Sequence, residues 1–246
     1  MKALILAAGY ATRLYPLTKE YPKPLLKVNH KPIINYIVDK LKRIPEIDEI
    51  IVVTNSKFSA RFKSWGKKIR SPKVITVLDD QTKDNHHRLG AIGDMDFAIT
   101  RKKIKDDLLV VGGDNLFDGK LEGFLSFAAG HHNKPVIGAY NIRSKSKARH
   151  YGVMKLDKFK RVIDFQEKPK KPHSTIVAMC LYYFPKDELG LISEYQKKKD
   201  KLHDATGFYI DWLRKKINVY SFVFKGRWYD IGDHKFYGEA KASFVK

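Results

Sequence analysis

Leu4-Ile5-Leu6-Ala7-Ala8-Gly9-Tyr10-Ala11-Thr12-Arg13-Leu14-Tyr15-Pro16-Leu17-Thr18, followed by Pro22-Lys23-Pro24-Leu25, is the stretch around which this 246-residue chain is organised. The apolar run Ala3 to Ala7 predicts a buried strand, and it stops at small residues where backbone can lie against a ligand. The loop then carries Arg13 and, further on, Lys23 between two prolines, which predicts an extended segment. Two cations beside exposed backbone N–H groups suit a polyphosphate. Residue by residue, a plain strand-to-loop turn with solvated cations is the better reading.

Downstream, Pro32 is placed to open a helix whose Ile33, Ile34, Ile37, Val38 and Leu41 recur on one side. Strands at Glu49–Val53 and Val74–Leu78 flank a short helix around 58–65, and a fourth buried strand is read at Leu108–Val111. Alternating strands and helices call for a mostly parallel sheet covered on both faces, with ligands beyond the carboxyl ends of the strands. Polar Asp79–Arg88 leads into Leu89-Gly90-Ala91-Ile92-Gly93-Asp94 at the start of another helix. Gly112-Gly113-Asp114-Asn115 follows the fourth strand, so Asp114 is either a cation ligand or the cap of a following helix.

The second half is more strand-rich, with segments at 136–140, 153–156, 161–166, 176–184 and 219–224. It predicts an antiparallel extension packed beside the first sheet. It also carries Tyr151-Gly152-Val153, Glu167-Lys168-Pro169, Asp204-Ala205-Thr206-Gly207 before a helix, and Gly226-Arg227-Trp228-Tyr229-Asp230-Ile231-Gly232. Asp230 could be an ordinary loop carboxylate and Trp228 a core residue.

The 48 Lys and Arg against 27 Asp and Glu give a formal charge of +21, which raises nucleic acid as a partner. The cations are spread along the chain without an RNA-binding aromatic motif, so a solvated lysine-rich surface is expected and no nucleic-acid partner. The single cysteine, Cys180, excludes an internal disulfide, and its neighbours Met179 and Leu181 predict a buried, inert thiol. His86-His87 is a poor metal site, because adjacent side chains diverge. No stretch approaches the ~20 apolar residues of a membrane span, and Leu4–Ala8 is too short for a secretory leader; no membrane partner and a cytoplasmic location are expected.

Taken together, Ala7-Ala8-Gly9, Thr12-Arg13-Leu14, Pro16-Leu17-Thr18, Pro22-Lys23-Pro24-Leu25, Gly113-Asp114-Asn115, Tyr151-Gly152-Val153, Glu167-Lys168-Pro169 and Trp228-Tyr229-Asp230-Ile231-Gly232 closely resemble the signature of the sugar-1-phosphate nucleotidylyltransferases, in that family's order. The resemblance implies a Rossmann-like α/β fold with a small antiparallel sugar-binding extension. It implies one domain over 1–246, with 1–135 mainly for the nucleotide and 136–246 mainly for the sugar. It puts nucleotide binding on Leu6, Ala7, Ala8 and Gly9, phosphate contacts on Arg13 and Lys23, and the base on Gln81 and Gly90. Gly152, Glu167 and Lys168 would bind the sugar and its phosphate, and Asp114 and Asp230 would hold Mg²⁺. The implied substrates are an NTP or dNTP and a sugar 1-phosphate, modally thymidylyl or uridylyl transfer to glucose 1-phosphate, with homo-oligomerisation left open. An acceptor such as phosphocholine, or a non-catalytic regulator, are the alternatives. Two departures bear on specificity: the interval from Gln81 to Gly90 is long and runs into Ile92-Gly93-Asp94, and Cys180 stands where the family often has glycine.

Overall fold

The computed structural model describes residues 1–131, 134–198 and 205–244, so Asp204 lies outside the described residues. The opening apolar run forms β1 (Lys2–Leu6), and two short strands, β2 (Lys27–Val28) and β3 (Lys31–Pro32), pair as a hairpin. Helix α1 (Ile33–Leu41) starts directly after Pro32 and buries all five of its expected apolar positions. Strand β4 (Glu49–Thr54) is buried throughout, as its β-branched run demands. Helix α2 (Ser56–Lys68) runs further than the 58–65 read from sequence, because Asn55 caps it by accepting the Phe58 N–H.

Strand β5 (Val74–Asp79), helix α3 (Gly90–Lys102) and strand β6 (Leu108–Gly112) complete the parallel half, in which β6, β1, β4 and β5 lie side by side. Next come β7 (Asn115–Phe117), α4 (Leu121–Ala129), β8 (Val136–Asn141), α5 (Lys145–Ala148), β9 (Gly152–Leu156), β10 (Val162–Glu167) and the long β11 (Ile176–Phe184). The chain continues through α6 (Gly190–Gln196), α7 (Thr206–Lys216), β12 (Tyr220–Phe224), β13 (Trp228–Asp230) and α8 (His234–Ser243).

The antiparallel strands are not a separate layer beside the parallel ones. β11 hydrogen-bonds antiparallel to β6 and joins β8, β9, β10 and β12 into one nine-stranded sheet. One edge of β11 is shared: Leu181–Phe184 pairs with β6, whereas Val177 meets Val153 of β9. Between these two pairings Cys180 takes a left-handed backbone (φ 52) and the register against β8 shifts. The sheet therefore forks at Cys180, opening a cleft between the end of β6 and the start of β9.

Alternation along the strands feeds one apolar cluster on each face. Ala3, Ile5 and Val52 pack with α1, α2 and α4, and Leu4, Ile51 and Val53 pack with α3, α6 and α7. A third cluster joins Leu14, Leu26, Val28, Ile33, Leu116, Ile231, Ala240 and Phe244. It is built from residues adjacent to the sequence motifs and so fixes where those motifs end up. Among the described residues no helix is long and apolar enough to cross a membrane.

Candidate active site

The loop after β1 is fastened by its backbone. Ala7 N–H donates to Val53 O (2.8 Å), the Asn55 side-chain amide donates to Ala8 O (2.8 Å), and Gly113 N–H donates to Leu6 O (2.8 Å). Gly9 is exposed, and a Cβ there would meet nothing within 4 Å. Packing therefore does not demand glycine at this position, whereas a closely approaching ligand would. Arg13 is held on a 3-10 turn (Thr12–Leu14) whose Leu14 is fully buried, and Thr18 Oγ donates to Ala11 O (2.8 Å) to close the loop.

Lys23 corrects one expectation. Only Pro22 is extended; Lys23-Pro24-Leu25 forms a 3-10 turn, in which Pro24 sits in the first turn and its missing N–H goes unneeded. Gly113 wedges under this turn, since a Cβ on it would stand 2.8 Å from Leu6 O and 3.1 Å from Pro24 Cγ. The Lys23 ammonium thereby reaches the carboxylate of Asp114 and pairs with it.

Asp114 does not cap a helix, because strand β7 follows it. That strand pairs antiparallel with β13, registering Asp230 against Asn115, one residue from Asp114. Leu116 on one strand and Ile231 beside the other are both buried in the third cluster, and Leu14 next to Arg13 joins them. Each charged residue is thus carried by an apolar neighbour, and two distant parts of the chain deliver their carboxylates to one place. Asn115 stitches the site: its Oδ1 accepts from Trp228 Nε1 (2.7 Å), and its Nδ2 donates to Cys180 O (3.3 Å). Trp228 stands against Tyr140 and Tyr151 (ring centroids 5.5 and 5.3 Å), and a cavity of about 230 Å³ opens there beside Asp230.

The electrostatics follow from this crowding. Burial, then the neighbouring Asp114 carboxylate, pushes Asp230 up to about 6, against the pull of Lys23, Arg13 and Lys168. For Lys23, burial alone would lower the ammonium, but Asp114 and Asp230 outweigh it and hold the group above its ordinary value. Asp230 thus feels the charges of four other predicted residues, Asp114, Lys23, Arg13 and Lys168. The Cys180 thiol is pushed up to about 12 by burial and then by the two aspartates. The residue is half-buried at the fork rather than enclosed in a core as expected. Two carboxylates, with an ammonium already paired to one of them, make a hard-oxygen donor set that suits a divalent cation such as Mg²⁺. Among the described residues no cluster of three or more His, Cys, Asp or Glu stands ready to hold a metal by itself.

On the second-half side, Gly152 and Glu167 face each other across the β9–β10 pair. Lys168, in a left-handed turn (φ 45), donates its backbone N–H to Tyr151 O (3.1 Å), and its ammonium lies 3.5 Å from Glu167 Oε1. Burial raises Glu167, and Lys168 pulls against it. Glycine at 152 has a packing reason as well, since a Cβ would come within 2.5 Å of Phe165 Cζ. Gly207, in the first turn of α7, is the seat of Glu167: a Cβ there would fall 1.9 Å from Glu167 Oε2.

On the first-half side, Gln81 is exposed in a left-handed turn (φ 70), with its N–H on Asp79 Oδ1 (2.8 Å). The adjoining Thr82 is tied to the first loop through Tyr10 OH (3.3 Å). Gly90, also left-handed (φ 76), opens α3. The fold thus sets the Gln81 turn beside the Leu6–Gly9 loop, on the far flank of that loop from β6 and Asp114. Asn115, Cys180, Gly207 and Trp228 are the site-shaping residues that sequence reasoning did not single out for these contacts. The available signal was a glycine inside the first turn of a helix, where capping has no use for it.

A solved structure illustrates the fold. A UDP-glucose pyrophosphorylase complexed with UDP-glucose superposes with a TM-score of 0.82 at 20% identity, covering 99% of this chain and 97% of that one. Among relatives in sequence, the bifunctional protein GlmU of Methanocaldococcus jannaschii is 28% identical over 94% of this chain, which spans about half (51%) of its length. The glucose-1-phosphate thymidylyltransferase of Neisseria meningitidis is 27% identical over 100% of this chain and 83% of its own. The sequence model of the nucleotidyl transferases matches residues 2–246, and with it the chain belongs to the nucleotidyl transferase family.

Proposed function

We propose that the protein joins a nucleoside triphosphate to a sugar 1-phosphate, giving an NDP-sugar and pyrophosphate. The observation that carries this reading is the convergence of Arg13, Lys23 and Lys168 on the paired carboxylates Asp114 and Asp230, beside a loop with open backbone at Gly9. Three cations and two cation-holding acids are what a reaction between two phosphates needs, and a module that only bound a nucleotide would not need all five.

In this mechanism the backbone of Leu6, Ala7, Ala8 and Gly9 holds the nucleotide, and Gln81 and Gly90 meet its base. Gly152 and Glu167 receive the sugar, with Glu167 accepting hydroxyl hydrogen bonds, and Lys168 orients the sugar phosphate. An oxygen of that phosphate attacks the α-phosphorus in line; the new P–O bond forms as the bond to the β-phosphate bridge breaks, and pyrophosphate departs with the electron pair. A phosphate monoester, second pKa about 6, is already largely ionised near neutrality, so the chain supplies no general base. Arg13 and Lys23 neutralise charge that grows on the leaving pyrophosphate, and alignment does the rest. Asp114 and Asp230 would hold Mg²⁺, whose charge would polarise the phosphate oxygens when bound. For that, Lys23 must release Asp114 and turn to the phosphates. On this reading residues 1–135 serve mainly the nucleotide and 136–246 mainly the acceptor.

Thymidylyl or uridylyl transfer to glucose 1-phosphate is the first combination to test, in keeping with the name of the Neisseria relative. A pyrophosphate-release screen crossing the NTPs and dNTPs with several sugar 1-phosphates and with phosphocholine tests the reading. Release that requires a sugar 1-phosphate is expected; release with phosphocholine alone, or with no acceptor at all, would refute it.

A further inference from the structure

Away from the charged cluster, a second pair of acids is buried where the base-side segments meet. Asp80 follows β5 and Asp94 lies in the second turn of α3, and each is only 5% exposed. Asp80 is bound at three points: its N–H donates to Thr54 O (2.8 Å), and its Oδ1 accepts from the N–H (2.7 Å) and the hydroxyl (2.8 Å) of Thr82. That grip is an Asx turn, and it holds Gln81 in its left-handed conformation. Because the Thr82 hydroxyl donates to Asp80, Tyr10 of the first loop must donate its own hydroxyl to Thr82.

The other sides of the two acids are unanswered. Asp80 Oδ2 and Asp94 Oδ1 are buried without any donor, yet the two side chains are within hydrogen-bonding reach of each other. Ionised carboxylates are acceptors only, so two of them buried against each other repel; one proton between them satisfies both. The pair also spans the departure noted in the sequence, linking the turn that carries Gln81 to the helix opened by Gly90.

We propose that Asp94 is a positioning residue for nucleotide binding: its carboxyl shares one proton with that of Asp80 and so fixes the Gln81–Thr82 turn against the first loop. The inference rests on the proposed role of Gln81 and Gly90 at the base. Burial, then the charge of Asp80, pushes Asp94 up to about 8, and burial raises Asp80 too. Around the pair stand Asp79 at the end of β5 and Tyr10, which feels Asp80, Asp84 and Asp79. Of the helices against α3, α6 brings Gln196 and Ser193, which do not titrate, beside Glu194, and α7 brings Tyr209, which burial holds above the usual tyrosine range. The sign follows. The folded chain keeps a proton that the unfolded chain loses near pH 4, so stability falls as pH rises from about 4 to about 8 and then levels off. Above about 8 the pair carries two charges, and its hold on the turn is lost.

The test compares the full-length protein with Asp94→Asn, whose amide donates a hydrogen that pH cannot remove, and with Asp94→Ala. Without substrate, the amide resonances of Gln81 and Thr82 should titrate together near pH 8 in the wild type and stay still in Asp94→Asn, and the fall in Tm from pH 5 to 8 should be shallower in that variant. With substrates, the wild-type KM for the NTP should rise several-fold between pH 7 and 9 while that for the sugar 1-phosphate holds. In Asp94→Asn it should stay low and flat; in Asp94→Ala it should be high at every pH. Resonances and melting that titrate alike in wild type and Asp94→Asn would overturn the shared proton. Substrate-free behaviour as expected with an NTP KM unmoved in all three proteins would overturn the positioning role. Failure of the proposed function itself reads differently, as the expected resonance titration in a protein that releases no pyrophosphate.

Discussion

Two acidic pairs flank the loop after β1, and they are neutralised in different ways. Asp114 and Asp230 lie at the fork in the sheet among Lys23, Arg13 and Lys168, so cationic side chains answer their charge. Asp80 and Asp94 lie under the opposite flank, where a proton answers it. The first arrangement can exchange one cation for another and stays open to a ligand. The second is closed and stiffens what it touches. On the proposed function, one carboxylate pair would serve as a cation site and the other as a clamp, according to what surrounds each.

The largest expected effects test the first pair. Asp230→Asn and Asp114→Asn should each lower turnover by about 100-fold or more. Asp230→Asn should melt no lower than the wild type, because it removes a buried charge that its neighbour already disfavours. Full turnover in either variant, read by pyrophosphate release, would leave only one acid in the site.

Arg13→Ala and Lys23→Ala should cost turnover on a similar scale, but they should differ in stability. Lys23 is paired to Asp114, with only 17% and 25% of the two side chains exposed, so its loss strands a carboxylate and should cost about 1–3 kcal/mol. Arg13 sits on an exposed turn, and its removal should leave Tm within a degree or two of the wild type. Thermal melts decide between them: equal loss of Tm in both would mean that Lys23 is not held as described.

Lys168→Ala should raise the KM for sugar 1-phosphate about tenfold and leave NTP affinity nearly unchanged in calorimetry. An equal loss of NTP affinity would place Lys168 on the other substrate. A smaller effect concerns pH. Since Asp230 is protonated below about 6, metal affinity should drop as pH falls through that value and level off above it. A metal titration flat from pH 5 to 8 would contradict it. The smallest is Gly9→Ala, where Tm should not move because a Cβ meets no atom, yet the KM for NTP should rise.

Most of the parallel half was legible, because continuous apolar runs such as Glu49–Thr54 and the five-residue stripe of α1 carry their own periodicity. The ladder of β7 with β13 was not. Each is three residues long, and their pairing depends on the cluster around Leu14, Leu116 and Ile231, which gathers residues from both ends of the chain. For the same reason α8 was missed, although it braces the first loop through His234 against Tyr15 O (2.9 Å) and Tyr237 against Lys27 O (2.8 Å). The charged residues were legible as identities within motifs. Their meeting was implied by the resemblance alone, because the β7–β13 ladder that brings Asp230 beside Asp114 is encoded in no local pattern.

The central claim is that the Asp114–Asp230 cluster joins two phosphates. Phosphorus NMR of a mixture of NTP, sugar 1-phosphate, Mg²⁺ and protein follows both products at once. The account predicts an NDP-sugar diphosphate and free pyrophosphate appearing in equal amounts, both lost in Asp230→Asn. Pyrophosphate or phosphate released while the sugar 1-phosphate signal stays intact would contradict it.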